Sequence, residues 1–202
     1  MRILLTTAAI TLLASPALAE TRPLSGFTKI SASAGTRVEV GFGSNFLVDV
    51  EGRDAARIVT RVSNGTLVVE PVRGWSWRGP RNAIVRVTMP MVEALDASSG
   101  AHIEATGVPG GALSLDASSG AALDVAGACS SFNADASSGA DIDAEALRCE
   151  TGSVSVSSGA SAHVYATGRL DVDASSGGDV VAFGNPGIGD IELSSGGSLR
   201  RR

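Results

Sequence analysis

Aromatic side chains are scarce: five Phe, two Trp and one Tyr make up 4% of the 202 residues. That excludes a core built on bulky rings and leaves the interior to Ala, Val, Leu and Ile. Two His, two Cys and a single Lys leave little material for metal-hydrolase, lysine-dependent or histidine-rich chemistry. Charged residues are only 18% of the chain, but 44% hydrophobic content rules out a disordered polymer. Basic residues are short where they would matter for nucleic acid. Residues 20–90 hold ten basic against six acidic side chains, whereas 91–199 hold two against fifteen. An acidic body of this kind repels phosphate backbones, so nucleic acid is excluded as a partner.

What is present begins with an export segment. Residues 1–19 read as a secretory signal: Arg2 supplies the positive end, 3–14 are apolar apart from threonines, and Ala17-Leu18-Ala19 is a small-x-small cleavage site. The apolar run falls short of the roughly 20 residues a helix needs to cross a bilayer, and no later stretch spans either. The expected mature chain starts at Glu20, without a membrane span, and is periplasmic, secreted or at the cell surface.

Gly is abundant, at 25 residues, and it is periodic. Ser-Ser-Gly occurs six times, its glycines at Gly100, Gly120, Gly139, Gly159, Gly177 and Gly196. Three positions after each glycine stand Ile103, Leu123, Ile142, Ala162, Val180 and Leu199; five before it stand Leu95, Leu115, Ala134, Val154, Val172 and Ile191. Between the apolar columns run polar ones, among them Asp96, Asp116, Asp135, Ser155, Asp173 and Glu192. Period-two alternation on both sides of a glycine corner means two short strands per repeat, with no room for a crossover helix. A Gly/Ser linker would not keep such columns. The expected fold is all-β: a right-handed, single-stranded parallel β-helix with coils of about 19 residues, equal positions stacking about 4.8 Å apart. A β-roll or an antiparallel sandwich is the alternative. The corner glycine supplies the positive φ.

Residues 20–90 also alternate, but without a fixed glycine corner, and are expected to form irregular opening coils and a cap, with Asn64-Gly65 as a tight turn. Residues 91–202 are the regular coils, one domain with 20–90.

These blocks carry a resemblance. Phe27 to Ile30 as Phe-x-x-Ile, Asn64-Gly65-Thr66-Leu67, Val85 to Pro90 as Val-x-Val-Thr-x-Pro, the recurring Ser-Gly-Ala/Gly blocks, and Phe183-Gly184-Asn185-Pro186 before the last Ser-Ser-Gly-Gly follow one another in a specific order. The combination resembles the DUF2807 family of auto-transporter adhesin heads (head GIN domain) over essentially the whole mature chain. The resemblance implies a right-handed β-helix in an exported bacterial protein with an adhesin-like role. It carries over no catalytic residue.

Individual residues offer few chemical candidates. Cys129 and Cys149 fall at nearly the same place on successive coils, a spacing that suits a disulfide in an oxidising compartment; two reduced buried thiols are the alternative. Two thiols with no nearby His do not make a zinc site. The column Asp96, Asp116, Asp135, Asp173 stacks like charges and offers oxygen ligands to calcium, but it lacks the spacing of calcium-binding rolls. It reads as a solvated acidic face or as carboxylates capping the corner amides. His102 and His163 lie on different columns three coils apart and read as isolated surface residues. The most distinctive stretch is 73–81, where Arg73, Arg78 and Arg81 surround Trp75 and Trp77. Such a loop stacks on sugars, holds anions or inserts into an interface; folding over the open end of the helix is the alternative. No motif calls for a cofactor, a metal or a catalytic centre. The expected function is a non-enzymatic, adhesin-like binding or surface-interaction module for glycan or an envelope or surface protein. A polysaccharide-acting enzyme, with carboxylate pairs on a β-helix, is the alternative.

Overall fold

The computed structural model describes residues 19–74 and 82–202. The opening strands are β1 (Glu20–Thr21), β2 (Lys29–Ala32), β3 (Arg37–Phe42), β4 (Leu47–Glu51), β5 (Ile58–Ser63), β6 (Thr66–Pro71) and β7 (Ile84–Met89). The repeats follow as β8 (Ala94–Ser98), β9 (His102–Pro109), β10 (Ala112–Ser118), β11 (Ala122–Ser137) and β12 (Asp141–Val156). The last coils are β13 (Ser161–Ala166), β14 (Arg169–Ala174), β15 (Asp179–Phe183), β16 (Gly187–Leu193) and β17 (Ser198–Arg201). All belong to one curled sheet, and the repeats pair in parallel as a β-solenoid.

The apolar columns stack in register. One ladder runs Ile30, Leu95, Leu115, Ala134, Val154, Val172, Ile191. The other runs Val85, Val38, Ile103, Leu123, Ile142, Ala162, Val180, Leu199. Nearly all of these side chains are fully buried, and the core is a thin filling of aliphatic layers. The exception is the last rung, where Ile191 and Leu193 remain 47% exposed. There Arg201 stands in register with the inward-facing Ala182 and donates to Asn185 Oδ1 and the Pro186 carbonyl.

Each corner is a two-residue turn with positive φ at both central positions, such as Ser99 (52°) and Gly100 (72°). Glycine alone does not make the bend, as alternation had suggested; the second serine shares the left-handed conformation. That costs a side-chain-bearing residue on the order of 1 kcal/mol. Hydrogen bonds offset it: Ala101 N–H closes the turn on Ser98 O, and Gly100 N–H donates to Ser119 O of the next coil, both at 3.1 Å. Gly120, Gly139, Gly159 and Gly177 repeat the second bond, so the corners form a ladder of their own. The expectation that the opening section lacks such a corner is corrected here. Ser33-Ala34-Gly35 turns the same way, with φ of 52° and 73° at Ala34 and Gly35.

The far bend is irregular. β11 and β12 pass through it as continuous extended chain, with register shifts at Gly127 and between Ala144 and Cys149. A Cβ on Gly127 would lie 2.3 Å from Val108 N, so no larger residue fits the bulge. Cys129 and Cys149 are register partners in this region and form a disulfide, with Cα atoms 4.6 Å apart.

The opening coils are stacked out of chain order. β2 pairs with both β6 and β8, and β3 with both β7 and β9. The β2–β3 coil therefore sits between the β6–β7 coil and the repeats. Beyond β6 and β7 the sheet turns antiparallel: β5 returns along β6 through the Asn64-Gly65 turn, β4 lies on β7, and β1 on β4. Arg22 secures this end by donating to Ile58 O at 2.8 Å and Thr60 Oγ1 at 3.1 Å.

Leu123→Asp would place an unpaired charge at a position with 0% exposure. Its expected cost, about 5 kcal/mol or more, leaves no cooperative melt in circular dichroism. Free-thiol labelling of denatured, unreduced protein is expected to find no reactive Cys, and reduction to lower stability by about 3 kcal/mol. Two labelled thiols would show the staple to be absent.

Candidate functional site

Alternation sends every second side chain of β3, β4, β7 and β9 outward, and register brings those side chains together. Glu39 lies opposite Arg86 on one side and Glu104 on the other, Arg37 opposite His102, and Asp49 opposite Arg86. Arg86 Nη1 is 2.7 Å from Glu39 Oε2, and its Nε donates to Glu51 Oε2 at 3.2 Å. Arg37 reaches Glu104 at 3.6 Å and Glu39 at 3.8 Å. The guanidiniums thus keep the facing carboxylates Glu39 and Glu104 compatible. The hydrogen bond from Arg86 to Glu51, with the charge of Glu39, raises the Arg86 pKa above its ordinary value. His102 Nε2 lies 2.8 Å from Asp124 Oδ2 one coil further on.

Of these side chains, Arg37, Glu39, Glu51 and His102 border a groove of about 710 Å³, lined also by Thr36, Asn82, Ala83, Ile84 and the corner glycines Gly35 and Gly100. That volume falls in the range of small-molecule sites. The end of the connection from β6 to β7, at Asn82 and Ala83, forms part of the groove. Where the neighbouring coil turns at Ser33-Ala34-Gly35, the β6–β7 coil has residues 72–83 instead. Both roots of this connection are pinned. Val72 N–H donates to Arg57 O at 2.9 Å, while Asp54 N–H donates to Asn82 O and Asn82 N–H to Asp54 Oδ2. Gly52 allows the close approach: its Cβ would sit 2.0 Å from Asn82 O. Arg73 is exposed at the first root. Trp75, Trp77, Arg78 and Arg81 lie outside the described residues.

The acidic column sits elsewhere, on the face formed by β8, β10, β11 and β12. Asp96, Asp116 and Asp135 occupy consecutive rungs in register, followed by Ser155 and Asp173. They border a shallow depression of about 650 Å³ with Ser118, Ser137 and Ser157. Asp96 and Asp135 have pKa values raised first by desolvation and then by the charge of Asp116. The carboxylates do not cap the corner amides, which is a correction. Their hydrogen bonds come from outward neighbours: Ser31 Oγ to Asp96, Ser114 Oγ to Asp116 and Asn133 Nδ2 to Asp135. The corner glycine amides go to backbone carbonyls instead. Among the described residues, no group of three or more His, Cys, Asp or Glu is arranged to hold a metal ion.

The histidines are not isolated either. His102 belongs to the groove, and His163 meets Phe183 edge-on with ring centroids 6.4 Å apart. Arg37, Glu39, Glu51, Arg86 and Asn82 were not recognisable as a set from the sequence. Charges alternating with Val in strands mark an outward face, but only the register shows that they converge. With the guanidiniums each shared between carboxylates, the groove presents fixed donors and acceptors on a hydrogen-bonded frame, an arrangement suited to binding a polar ligand.

The family model described as "Putative auto-transporter adhesin, head GIN domain" (DUF2807) matches residues 26–186. Among proteins with curated descriptions, none matches the chain. Among solved structures, a "putative adhesin" of Bacteroides fragilis superposes with a TM-score of 0.72 at 14% identity, covering 94% of this chain and 98% of that one. A "Putative lipid binding protein" of Parabacteroides distasonis gives 0.53 at 16% identity, with the same coverages. A "putative adhesin" of Parabacteroides merdae gives 0.51 at 12%, covering 94% and 97%. At these identities the likeness establishes the fold.

The acidic ladder has a definite pH signature. Because burial and Asp116 raise the folded-state pKa of Asp96 and Asp135, the stability tied to them is present at low pH and lost as pH rises through those values. Asp116→Asn removes one of the two causes, so the variant is expected to gain stability near neutrality. The gain should be no more than about 0.5 kcal/mol for groups this open to solvent, and should fade once the carboxylates are protonated. Urea midpoints at about pH 7 and about pH 3 test this; a variant less stable at neutrality would contradict it.

Proposed function

The chain belongs to the DUF2807 family of head GIN domains, and on that premise we propose that it is an exported, adhesin-like binding module without catalytic activity. Residues 1–19 direct it out of the cytoplasm, and 20–202 act as one unit in the periplasm or at the surface. Among the described residues no helix is long and apolar enough to cross a membrane. The observation that carries the reading is the groove beside the 72–83 connection. A solenoid presents there a concave, polar surface whose side chains are held by ion pairs, and the sequence between its roots Val72 and Asn82 contains both tryptophans and three arginines. Aromatic and arginine side chains are the usual anchors of recognition. The family and several structural relatives bear adhesin names, which supports a role in contacting glycans or surface proteins. The carboxylates of the groove are tied to guanidiniums, an arrangement that favours hydrogen bonding over proton transfer to a substrate.

A glycan and cell-envelope binding screen with residues 20–202 tests the proposal. Trp75→Ala with Trp77→Ala, and separately Arg37→Ala, are expected to lower binding at least about tenfold while leaving the melt unchanged. Binding that survives both would move recognition away from the groove.

A further inference from the structure

The groove does not end at its deepest part. Two smaller depressions adjoin it: about 290 Å³ further along the strands over Gly41, Thr88 and Thr106, and about 350 Å³ across the coils over Ala126 and Ala146. They share Glu39, Arg37, His102 and Glu104 with it or with each other. Small residues keep the floor low, and the trough runs along β3 toward Gly41 and crosses the coils over β9, β11 and β12. Its shape suits an extended chain.

The backbone under the trough is already paired on both sides, because β3 lies between β7 and β9. No peptide can add there as a strand, and recognition falls to the side chains. Those side chains carry a net negative charge. Arg37 and Arg86 face Glu39, Glu51 and Glu104, each guanidinium shared by two carboxylates, while Asp124 lies against His102. Both cations are already committed to carboxylates, so a carboxylate, sulfate or phosphate on a ligand has to compete for them, whereas the carboxylates keep acceptor sites for hydroxyl and ammonium donors. The fifteen acids against two bases of residues 91–199 add a field of the same sign.

We infer that the trough takes an extended glycan that is neutral or bears amino groups, and that it rejects acidic polysaccharides. This rests on the binding reading above and names its ligand class. Hydroxyls bridge the fixed carboxylates and guanidiniums, and sugar ammonium groups sit at Glu51, Glu104 and Asp124.

Calorimetric titration of residues 20–202 with three hexasaccharides decides the matter: a glucosamine hexamer at mildly acidic pH, a neutral glucose hexamer, and a galacturonate hexamer. The glucosamine hexamer is expected to bind tightest and the galacturonate hexamer not at all, with the difference shrinking in about 0.5 M salt. The double variant Glu51→Gln, Glu104→Gln is expected to weaken glucosamine binding by about fivefold or more and to weaken the neutral hexamer by a smaller factor. Galacturonate binding as tight as the others, lost in Arg37→Ala, overturns the ligand class while leaving the groove as the binding site. Glucosamine binding indifferent to the double variant assigns it to the acidic ladder and overturns the inference. Failure of all three hexamers to bind a protein that still captures envelope material in the screen overturns the glycan class alone; failure in both experiments overturns the binding reading as well.

Discussion

The structure depends on one repeated interaction, the hydrogen bond from the N–H of each corner glycine to the serine carbonyl of the next corner. A two-residue turn with positive φ at both centres is strained for any residue but glycine, and an isolated copy would not hold its strands together. Stacking changes that. Once the central N–H of one corner is a rung to the next, each turn is fixed by its neighbour and the strands emerge in register. The inward columns then face one another at the spacing of the sheet, and a core of Ala and Val, too thin for an isolated sheet pair, becomes continuous along the axis. The small residue after each corner belongs to the same constraint: a Cβ on Gly178 or Gly197 would come within 2.4 Å of a backbone carbonyl of the preceding coil.

The same constraint accounts for where a site can form. Regular coils leave only shallow faces, because every corner is two residues long and every outward column repeats. The β6–β7 coil escapes this, since its corner is replaced by the 72–83 connection and its far side is closed by antiparallel strands rather than another coil. Asn82 and Ala83 at the end of that connection line the groove, and β4 with β7 contributes the Glu51 and Arg86 that no repeat supplies. Electrostatics follows from placement: acids dominate the repeats, while the opening coils pair arginines against them and leave a net negative trough.

Much of the fold was legible in local pattern. The spacing of Gly100 to Gly196, the apolar columns beside each corner and the equivalence of Cys129 with Cys149 can be read along the chain, because a solenoid reports each contact again one coil later. The corner at Ser33-Ala34-Gly35 escaped notice because alanine replaces the central serine and the next repeat lies more than sixty residues on. The capping role considered for the aspartates failed for a related reason: the stacked corner glycine amides bond to carbonyls, leaving the carboxylates to Ser31, Ser114 and Asn133.

By itself, the sequence determined the coil period, the inward columns and the stacking of Cys129 on Cys149, since each follows from alternation and from stacking between adjacent repeats. Only the tertiary structure decided that β2 and β3 lie between β6–β7 and the repeats. With that came the meeting of Arg37, Glu39, Glu51, Arg86 and His102 around one groove. Pairing between distant, unrepeated strands depends on which edges are left uncovered when the coils assemble, and no local run of residues records that.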